Sequence, residues 1–302
     1  MQCISSISTI IPLYDLYIVD IYGVIFYEQH LINQAIEVIG LLKQLGKTAF
    51  FLSNFHKTNA YIKKMLIDIA VKDNNKYAQE VLKDIAIFTS CDFFIEFVIR
   101  YHTALNLSTN DAFLFLRGKA YVVGDTKHHL ISEISMRLRN MGCKPFEVAS
   151  SVKEADYLIM LAYSQPNDNM PMSRWDDVLH LAAEMSLPCL CPYPDVAPYH
   201  TKQKRIYTPG FYAQHYQQMN SCMVYNFGKP YKETYDFAIS SLGVDVSSSK
   251  ILVIGDSMVH DIAGANNIGA DSLLIDKYAY SDTARLANST NFPTYIMEIL
   301  RV

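Results

Sequence analysis

Short apolar runs and helical repeats alternate along the first seventy residues. The run at 16–19 is apolar and rich in residues of high β propensity, which predicts a strand buried on both faces. Apolar residues recur at helical spacing from 31 to 45, and the next residue, Gly46, is of the type that commonly ends helices. A second apolar run at 48–52 and a helical pattern from about 57 to 70 follow. This β-α-β-α order predicts a parallel sheet.

The C-terminal part of the chain repeats this order. The run at 250–254 predicts a third strong strand, which is followed by a polar loop, a short helix near 262–267 and a strand at 272–275. Three further apolar runs predict strands between the two ends of the chain, at residues 120–123, 155–160 and 188–191.

These patterns favour a Rossmann-like α/β fold in which one parallel sheet is interrupted by an inserted α/β domain. We expect the core domain at 1–77 and 223–302 and the inserted domain at 78–222. The polar run 72–76 is the expected outgoing connection, and Asn220–Ser221 is the expected return.

Composition limits the kinds of partner. The chain has 302 residues, of which 50% are hydrophobic and 19% are charged, and its formal net charge is −4. This balance excludes a disordered or collagen-like chain and offers no broad basic surface for nucleic acid, so we expect a small partner. The six cysteines have no recurring zinc-binding spacing, and the N-terminal apolar run is short and contains Pro12 and Asp15. We therefore expect a cytoplasmic protein with reduced thiols and no membrane contact; its oligomeric state is open, and a homodimer is possible.

Polar side chains follow three of the predicted strands. Asp20 follows the first strand, Ser53 and Asn54 follow the second, and Asp256 follows the third, with Asp261 five residues later. Such aspartates can also be loop formers or helix caps. However, the carboxyl ends of parallel strands meet at one edge, where carboxylates repel each other unless a cation joins them. Oxygen ligands of this kind favour Mg²⁺.

Lys229 adds a positive charge to this set. It lies between a glycine and a proline that suits the first turn of a helix. By itself, a lysine at this place can equally be a solvated charge at a helix start. Together with a nucleophilic carboxylate, the Ser53 hydroxyl and metal-binding carboxylates, it is typical of phosphoryl transfer.

The order and spacing of these residues resemble the four motifs of the haloacid dehalogenase (HAD) superfamily. The matching segments are Asp20-x-Tyr22-Gly23-Val24, Leu52-Ser53-Asn54, Gly228-Lys229-Pro230 and Gly255-Asp256-x4-Asp261. The large insertion between the second and third motifs is similar to the cap domain of the class IIA, or NagD-like, hydrolases and phosphatases of this superfamily.

The resemblance implies a phosphatase mechanism with an aspartyl-phosphate intermediate. Asp20 would attack phosphorus, and Mg²⁺ would be held by Asp20, the main-chain carbonyl of Tyr22 and Asp256. Asp261 would support the metal or its waters. The phosphoryl oxygens would be held by Ser53, Asn54 and Lys229.

Tyr22 departs from the family pattern, in which phosphatases carry an aspartate that acts as general acid and base. A phenol with a pKa near 10 stays protonated at neutral pH, so it can donate a proton but is a poor base for the water step. Loss of this assistance costs roughly 10²–10⁴ in rate, so we expect slow turnover unless the leaving group is good or another base acts. His56 is a candidate for that base, although a histidine at a helix start more often caps or packs.

Three functions therefore stay open at this stage. The first is a Mg²⁺-dependent phosphohydrolase acting on a small phosphorylated molecule. The second is a catalytically weakened phosphate-binding or regulatory protein, and the third is a dehalogenase-like hydrolase, since true dehalogenases of the superfamily also carry tyrosine at this place.

The inserted domain is expected to choose the substrate. The loop 191–195 contains two prolines, and its Tyr193 and Asp195 are candidates for contact with a ring or an amine. An ordinary rigid turn explains the same residues, and the sequence does not select a substrate.

Overall fold

The computed structural model divides the chain into two units. One unit contains Met1–Thr89 and Lys229–Val302, and the other contains Ser90–Gly228. The residues that the structure describes are 1–104, 112–165, 168–196, 199–201, 204–219, 222–243, 245, 248–277 and 291–302.

The strands and helices are numbered in chain order. The strands are β1 (Gln2–Cys3), β2 (Leu16–Val19), β3 (Phe26–Tyr27), β4 (His30–Leu31), β5 (Thr48–Ser53), β6 (Ala86–Thr89), β7 (Ala120–Gly124), β8 (Tyr157–Leu161), β9 (Cys189–Cys191), β10 (Tyr199–Thr201), β11 (Lys204–Ile206), β12 (Val224–Asn226), β13 (Ile251–Gly255), β14 (Asp271–Ile275) and β15 (Tyr295–Met297). The α-helices are α1 (Asn33–Gln44), α2 (Asn59–Lys72), α3 (Lys76–Asp84), α4 (Ser90–Thr103), α5 (His129–Asn140), α6 (Asp176–Glu184), α7 (Pro209–Gln218), α8 (Lys232–Ser241) and α9 (Ala263–Asn267).

The first unit is built on a seven-stranded sheet in the order β1-β15-β14-β13-β2-β5-β6. Its neighbouring strands are all parallel. Every residue of β2 is buried, because Tyr17 and Val19 pack in the same core cluster as residues of α1. Leu16 and Ile18 pack in another cluster that includes residues of α8 and α9. The continuous apolar run at 16–19 is thus explained by helices on both faces, and the parallel sheet with its helices confirms the predicted α/β fold.

The second unit contains a four-stranded parallel sheet in the order β12-β9-β8-β7. Strand β8 is buried along its whole length. Tyr157 and Ile159 belong to one apolar cluster and Leu158 and Met160 to another, so this sheet is also covered on both faces.

The boundaries of the two units differ from those predicted at 78 and 222. Helix α3 packs against α1 and α2, and β6 pairs with β5 in the first sheet, so the first unit continues to Thr89. On the return, β12 pairs with β9 of the second unit, so that unit continues to Gly228. The polar run 72–76 is the turn between two helices of one unit, and Asn220–Ser221 lies outside the described residues.

Two further observations concern the cysteines and the helices. All six cysteines are free thiols, as expected. Among the described residues, no helix combines the length and the apolar character that a membrane crossing requires.

Candidate functional site

Three carboxylates meet beyond the carboxyl ends of two central strands. Asp20 follows β2 and Asp256 follows β13, and these strands are parallel neighbours with Val19 opposite Ile254. One oxygen from each of Asp20, Asp256 and Asp261 lies within 4.8 Å of the others. The structure therefore brings together the three carboxylates that the sequence singled out.

Two glycines allow this close packing. Gly23 has a φ of +80°, and a Cβ atom at this position would overlap the carboxylate of Asp256. A Cβ atom on Gly255 would likewise overlap the side chain of Asp261. Because glycine alone leaves this space open and tolerates the positive φ, the carboxylates can approach the backbone.

Asp261 is held by a short π-helix, Met258–Ile262. The carbonyl of Ser257 accepts hydrogen bonds from the backbone N–H groups of Asp261 at 2.9 Å and Ile262 at 3.1 Å. The Ser257 N–H donates to Asp261 Oδ2 at 3.1 Å. These bonds fix the Asp261 carboxylate, whose side chain is only 1% exposed.

Lys229 bridges two of the carboxylates. Its Nζ lies 2.7 Å from Asp20 Oδ1 and 2.7 Å from Asp261 Oδ1, and its side chain is 4% exposed. The alternative of a solvated helix-start charge is therefore wrong. Pro230 is not in the first turn of a helix as predicted, because α8 begins at Lys232.

Asn54 fixes the backbone of Lys229. Asn54 Oδ1 accepts a hydrogen bond from the Lys229 N–H at 2.7 Å, and Asn54 Nδ2 donates to the Lys229 carbonyl at 2.9 Å. This reciprocal pair joins the loop after β5 to the loop before α8. The sequence predicted Asn54 as a substrate-binding residue and did not indicate this bond between residues 175 positions apart.

The charges in this cluster do not balance, because three carboxylates face one ammonium. Burial raises the pKa of Asp20 to about 6, with Lys229 lowering it and Asp261 raising it. Burial and the charges of Asp20 and Asp261 raise the pKa of Asp256 well above its usual range. Burial lowers the pKa of Lys229, but the two carboxylates outweigh this effect and raise it overall.

The donor set fits a divalent cation. Its side-chain ligands are all carboxylate oxygens, which Mg²⁺ prefers, and the excess negative charge is what such an ion neutralises. The residues present therefore fit the metal that the sequence resemblance implies.

The other predicted residues of the first unit are Ser53, Tyr22 and His56. Ser53 ends β5 beside β2 and is 5% exposed. Tyr22 is 36% exposed, and its ring contacts those of Phe26 and Tyr27. The His56 ring stacks on Phe55 with centroids 4.8 Å apart.

Tyr193 and Asp195 belong to the second unit. Tyr193 is 3% exposed and packs in an apolar cluster, and burial raises the pKa of its hydroxyl well above the usual range. The carbonyl of Asp195 accepts a hydrogen bond from the Thr208 hydroxyl, and a Cβ atom on Gly210 would overlap it. These contacts favour the interpretation of the loop as a rigid turn, and a substrate contact stays a prediction.

Sequence reasoning also missed a buried hydroxyl near the cluster. Tyr235 on α8 is fully buried, and its hydroxyl has no hydrogen-bond partner among the described residues. A Cβ atom on Gly264 would overlap this hydroxyl. The helical spacing of α8 identifies Tyr235 as a core residue, but the position of its oxygen is not readable from that pattern.

Comparison with known proteins places these motifs in context. Residues 226–301, which include Lys229, Asp256 and Asp261, match the family model described as HAD-hydrolase-like. No curated protein matches the sequence of this chain.

Several solved structures are similar over nearly the whole chain. A p-nitrophenyl phosphatase from Archaeoglobus fulgidus has a TM-score of 0.65 and 20% identity, and the match covers 95% of this chain and 96% of that chain. A haloacid dehalogenase-like hydrolase from Brucella suis 1330 has a TM-score of 0.71 and 18% identity, with 98% and 99% covered. NagD from E. coli K-12 has a TM-score of 0.59 and 17% identity, with 95% and 96% covered. The family model confirms the predicted resemblance to the HAD superfamily over residues 226–301. The solved structures confirm the predicted fold over nearly the whole chain.

Proposed function

We propose that this chain is a Mg²⁺-dependent phosphohydrolase of the HAD type that acts on a small phosphorylated molecule. The observation that carries the proposal is the meeting of Asp20, Asp256 and Asp261 within 4.8 Å of one another, with buried Lys229 on two of them. The similarity to structures named as p-nitrophenyl phosphatases supports a phosphate ester as substrate.

The metal would be held by carboxylate oxygens of Asp20 and Asp256, by the main-chain carbonyl of Tyr22 and, directly or through water, by Asp261. When bound, Mg²⁺ supplies positive charge that offsets the negative charge of the phosphoryl oxygens and of the carboxylates.

Asp20 is the proposed nucleophile. Its Oδ attacks phosphorus, so a carboxylate–phosphorus bond forms while the bond from phosphorus to the ester oxygen breaks. The ester oxygen leaves with the electron pair and takes up a proton. Water then attacks phosphorus, which releases inorganic phosphate and restores the carboxylate.

Lys229 and Ser53 assist this step. Because the ammonium lies 2.7 Å from Asp20, it opposes the effect of burial and favours the ionised, nucleophilic carboxylate. It also supplies positive charge to the phosphoryl group, and the Ser53 hydroxyl donates to a phosphoryl oxygen.

A catalytically weakened phosphate-binding or regulatory protein is the second candidate. The observation that favours it is Tyr22, whose ring packs against Phe26 and Tyr27 at the position where phosphatases of the family carry an acid–base carboxylate. This candidate predicts Mg²⁺-dependent binding of phosphate compounds with turnover near zero.

Hydrolysis of p-nitrophenyl phosphate by the purified protein tests the proposal. We expect activity with Mg²⁺, loss of activity with a chelator, and loss of at least about 10³-fold in Asp20→Asn because the nucleophile is removed. Asp68→Asn is a matched control, since Asp68 is an exposed carboxylate paired with Lys64. Activity that persists without metal or in Asp20→Asn would overturn the proposal.

A further inference from the structure

Three aromatic side chains form a continuous group in the segment that follows Asp20. We define the aromatic ledge as Tyr22, Phe26 and Tyr27. The Tyr22 ring centroid lies 6.0 Å from that of Phe26, at an interplanar angle of 69°, and 5.5 Å from that of Tyr27, at 43°. Phe26 is buried, whereas 36% of the Tyr22 surface is open to solvent. Within the ledge, Tyr22 is therefore partly open to solvent and packs on the buried Phe26.

The backbone ties this ledge to the carboxylates. Tyr22 lies two residues after Asp20, so their Cα atoms are within about 7.6 Å of each other. The next residue, Gly23, packs directly on the Asp256 carboxylate, and its N–H donates to the Phe26 carbonyl at 2.8 Å. The backbone that carries the ledge is consequently held beside the proposed phosphate site.

Position 22 also limits the leaving group. The Tyr22 phenol is a much weaker acid than a carboxyl group and assists the departing oxygen less, so that oxygen leaves most readily when its conjugate acid is strong. A phenol has a pKa of about 10, whereas water, which resembles an aliphatic alcohol in this respect, has a pKa of about 16. A phenolic oxygen can depart as phenolate, but an alkoxide needs a proton.

The aromatic ledge and the weak acid at position 22 favour the same class of substrate. We propose that the substrate is an aryl phosphate, a phosphate esterified to an aromatic hydroxyl, whose ring packs on Tyr22. This inference rests on the function proposed above. In the step that it requires, the Asp20–phosphorus bond forms, the aryl oxygen–phosphorus bond breaks, and the phenolate carries away the electron pair and takes a proton from water.

Turnover of a matched series of esters tests the chemical part. We expect the rate to fall as the pKa of the phenol rises, and alkyl phosphates to react at least about 10²-fold more slowly than phenyl phosphate. In Tyr22→Asp, which restores a carboxyl group, the rate should depend much less on the leaving group. Equal, Asp20-dependent turnover of aryl and alkyl esters would overturn the inference and leave the phosphohydrolase proposal standing.

Equilibrium binding of phosphonates, which are not hydrolysed, tests the stacking part. With Mg²⁺ present, phenylphosphonate should bind about tenfold more tightly than methylphosphonate. Tyr22→Phe should keep this preference because the ring is retained, and Tyr22→Leu should abolish it. Tyr77→Leu is the matched control, because Tyr77 is an exposed tyrosine on α3.

The outcomes of this binding experiment are separable from those of the turnover experiment. A phenyl preference that persists in Tyr22→Leu, or no preference in the wild type, would overturn the inference. A Tyr22-dependent phenyl preference in a protein that hydrolyses no ester would support the aryl ligand and reject hydrolysis.

Discussion

The ammonium of Lys229 lies 2.7 Å from Oδ1 of Asp20, and the two residues come from loops 209 positions apart in the chain. Both side chains are almost excluded from solvent, at 4% and 10% exposure. This pair joins the two parts of the chain that form the first unit, and it sets the charge of the proposed nucleophile.

Replacement of Lys229 by methionine should therefore harm both stability and activity. The variant leaves two buried carboxylates without their cation, and breaking a buried pair in this way typically costs about 3–5 kcal/mol. Urea denaturation at pH 7 measures the loss. Lys232→Met is the control, because its pair with Asp236 is exposed and should contribute less than about 1 kcal/mol. Similar losses in the two variants would contradict the assigned role of Lys229.

The stability of the metal-free protein should fall as the pH rises from 4 to 7. Burial raises the pKa of Asp20 from 3.8 to about 6, so the folded state keeps a proton that the unfolded state has already released. Stability then decreases with pH in this window, because the folded state binds more protons. Thermal unfolding at several pH values in the presence of a chelator measures this fall in stability. The fall should be smaller in Asp20→Asn.

Magnesium should stabilise the protein more at pH 8 than at pH 5. Metal binding requires deprotonated carboxylates, and the pKa values of Asp20 and Asp256 are raised by burial and by neighbouring charge. The increase in melting temperature on addition of Mg²⁺ reports this linkage. An increase of the same size at both pH values would argue against binding at these carboxylates.

Gly23→Ala should disrupt the acidic cluster, whereas Gly46→Ala should not. Both glycines have positive φ, at +80° and +68°, so both variants carry backbone strain of about 1 kcal/mol or more. At Gly23 the new methyl group also overlaps the Asp256 carboxylate, whereas at Gly46 no atom lies within 4 Å. We expect Mg²⁺-dependent activity to fall at least tenfold in Gly23→Ala. A loss of about 1.4 kcal/mol in transition-state stabilisation is enough to produce this change. Equal activities of Gly23→Ala and Gly46→Ala would show that the close approach of the Gly23 backbone to the Asp256 carboxylate is unimportant.

Asn54→Ala should lower activity by displacing Lys229. The variant removes both hydrogen bonds between the Asn54 amide and the backbone of Lys229, each contributing about 1 kcal/mol to the local structure. Steady-state kinetics should show a lower kcat with the Mg²⁺ affinity preserved, because the carboxylates are unchanged. Asn266→Ala, which loses an exposed hydrogen bond to Asn291, is the matched control, and an equal effect on kcat would reject the positioning role.

The strands beside the site could be predicted from the sequence because they are buried on both faces. Strand β2 coincides with the apolar run at 16–19, and the polar residues that follow β2 and β13 identified the carboxylates of Asp20 and Asp256. The boundary at Thr89 could not be predicted, since β6 alternates buried and half-buried residues and a polar turn before α3 resembles a linker. The hydrogen bonds of Asn54 to Lys229 and the burial of Tyr193 depend on long-range packing, which leaves no local pattern.

The most direct measurement is a crystal structure grown with Mn²⁺, an ion that prefers the same oxygen ligands as Mg²⁺ and whose position is marked by anomalous scattering. We expect one strong peak between Asp20 and Asp256, about 2.0–2.3 Å from an oxygen of each. A map with no peak there, or with the ion held by other residues, would contradict the proposed metal site and the phosphoryl-transfer chemistry that depends on it.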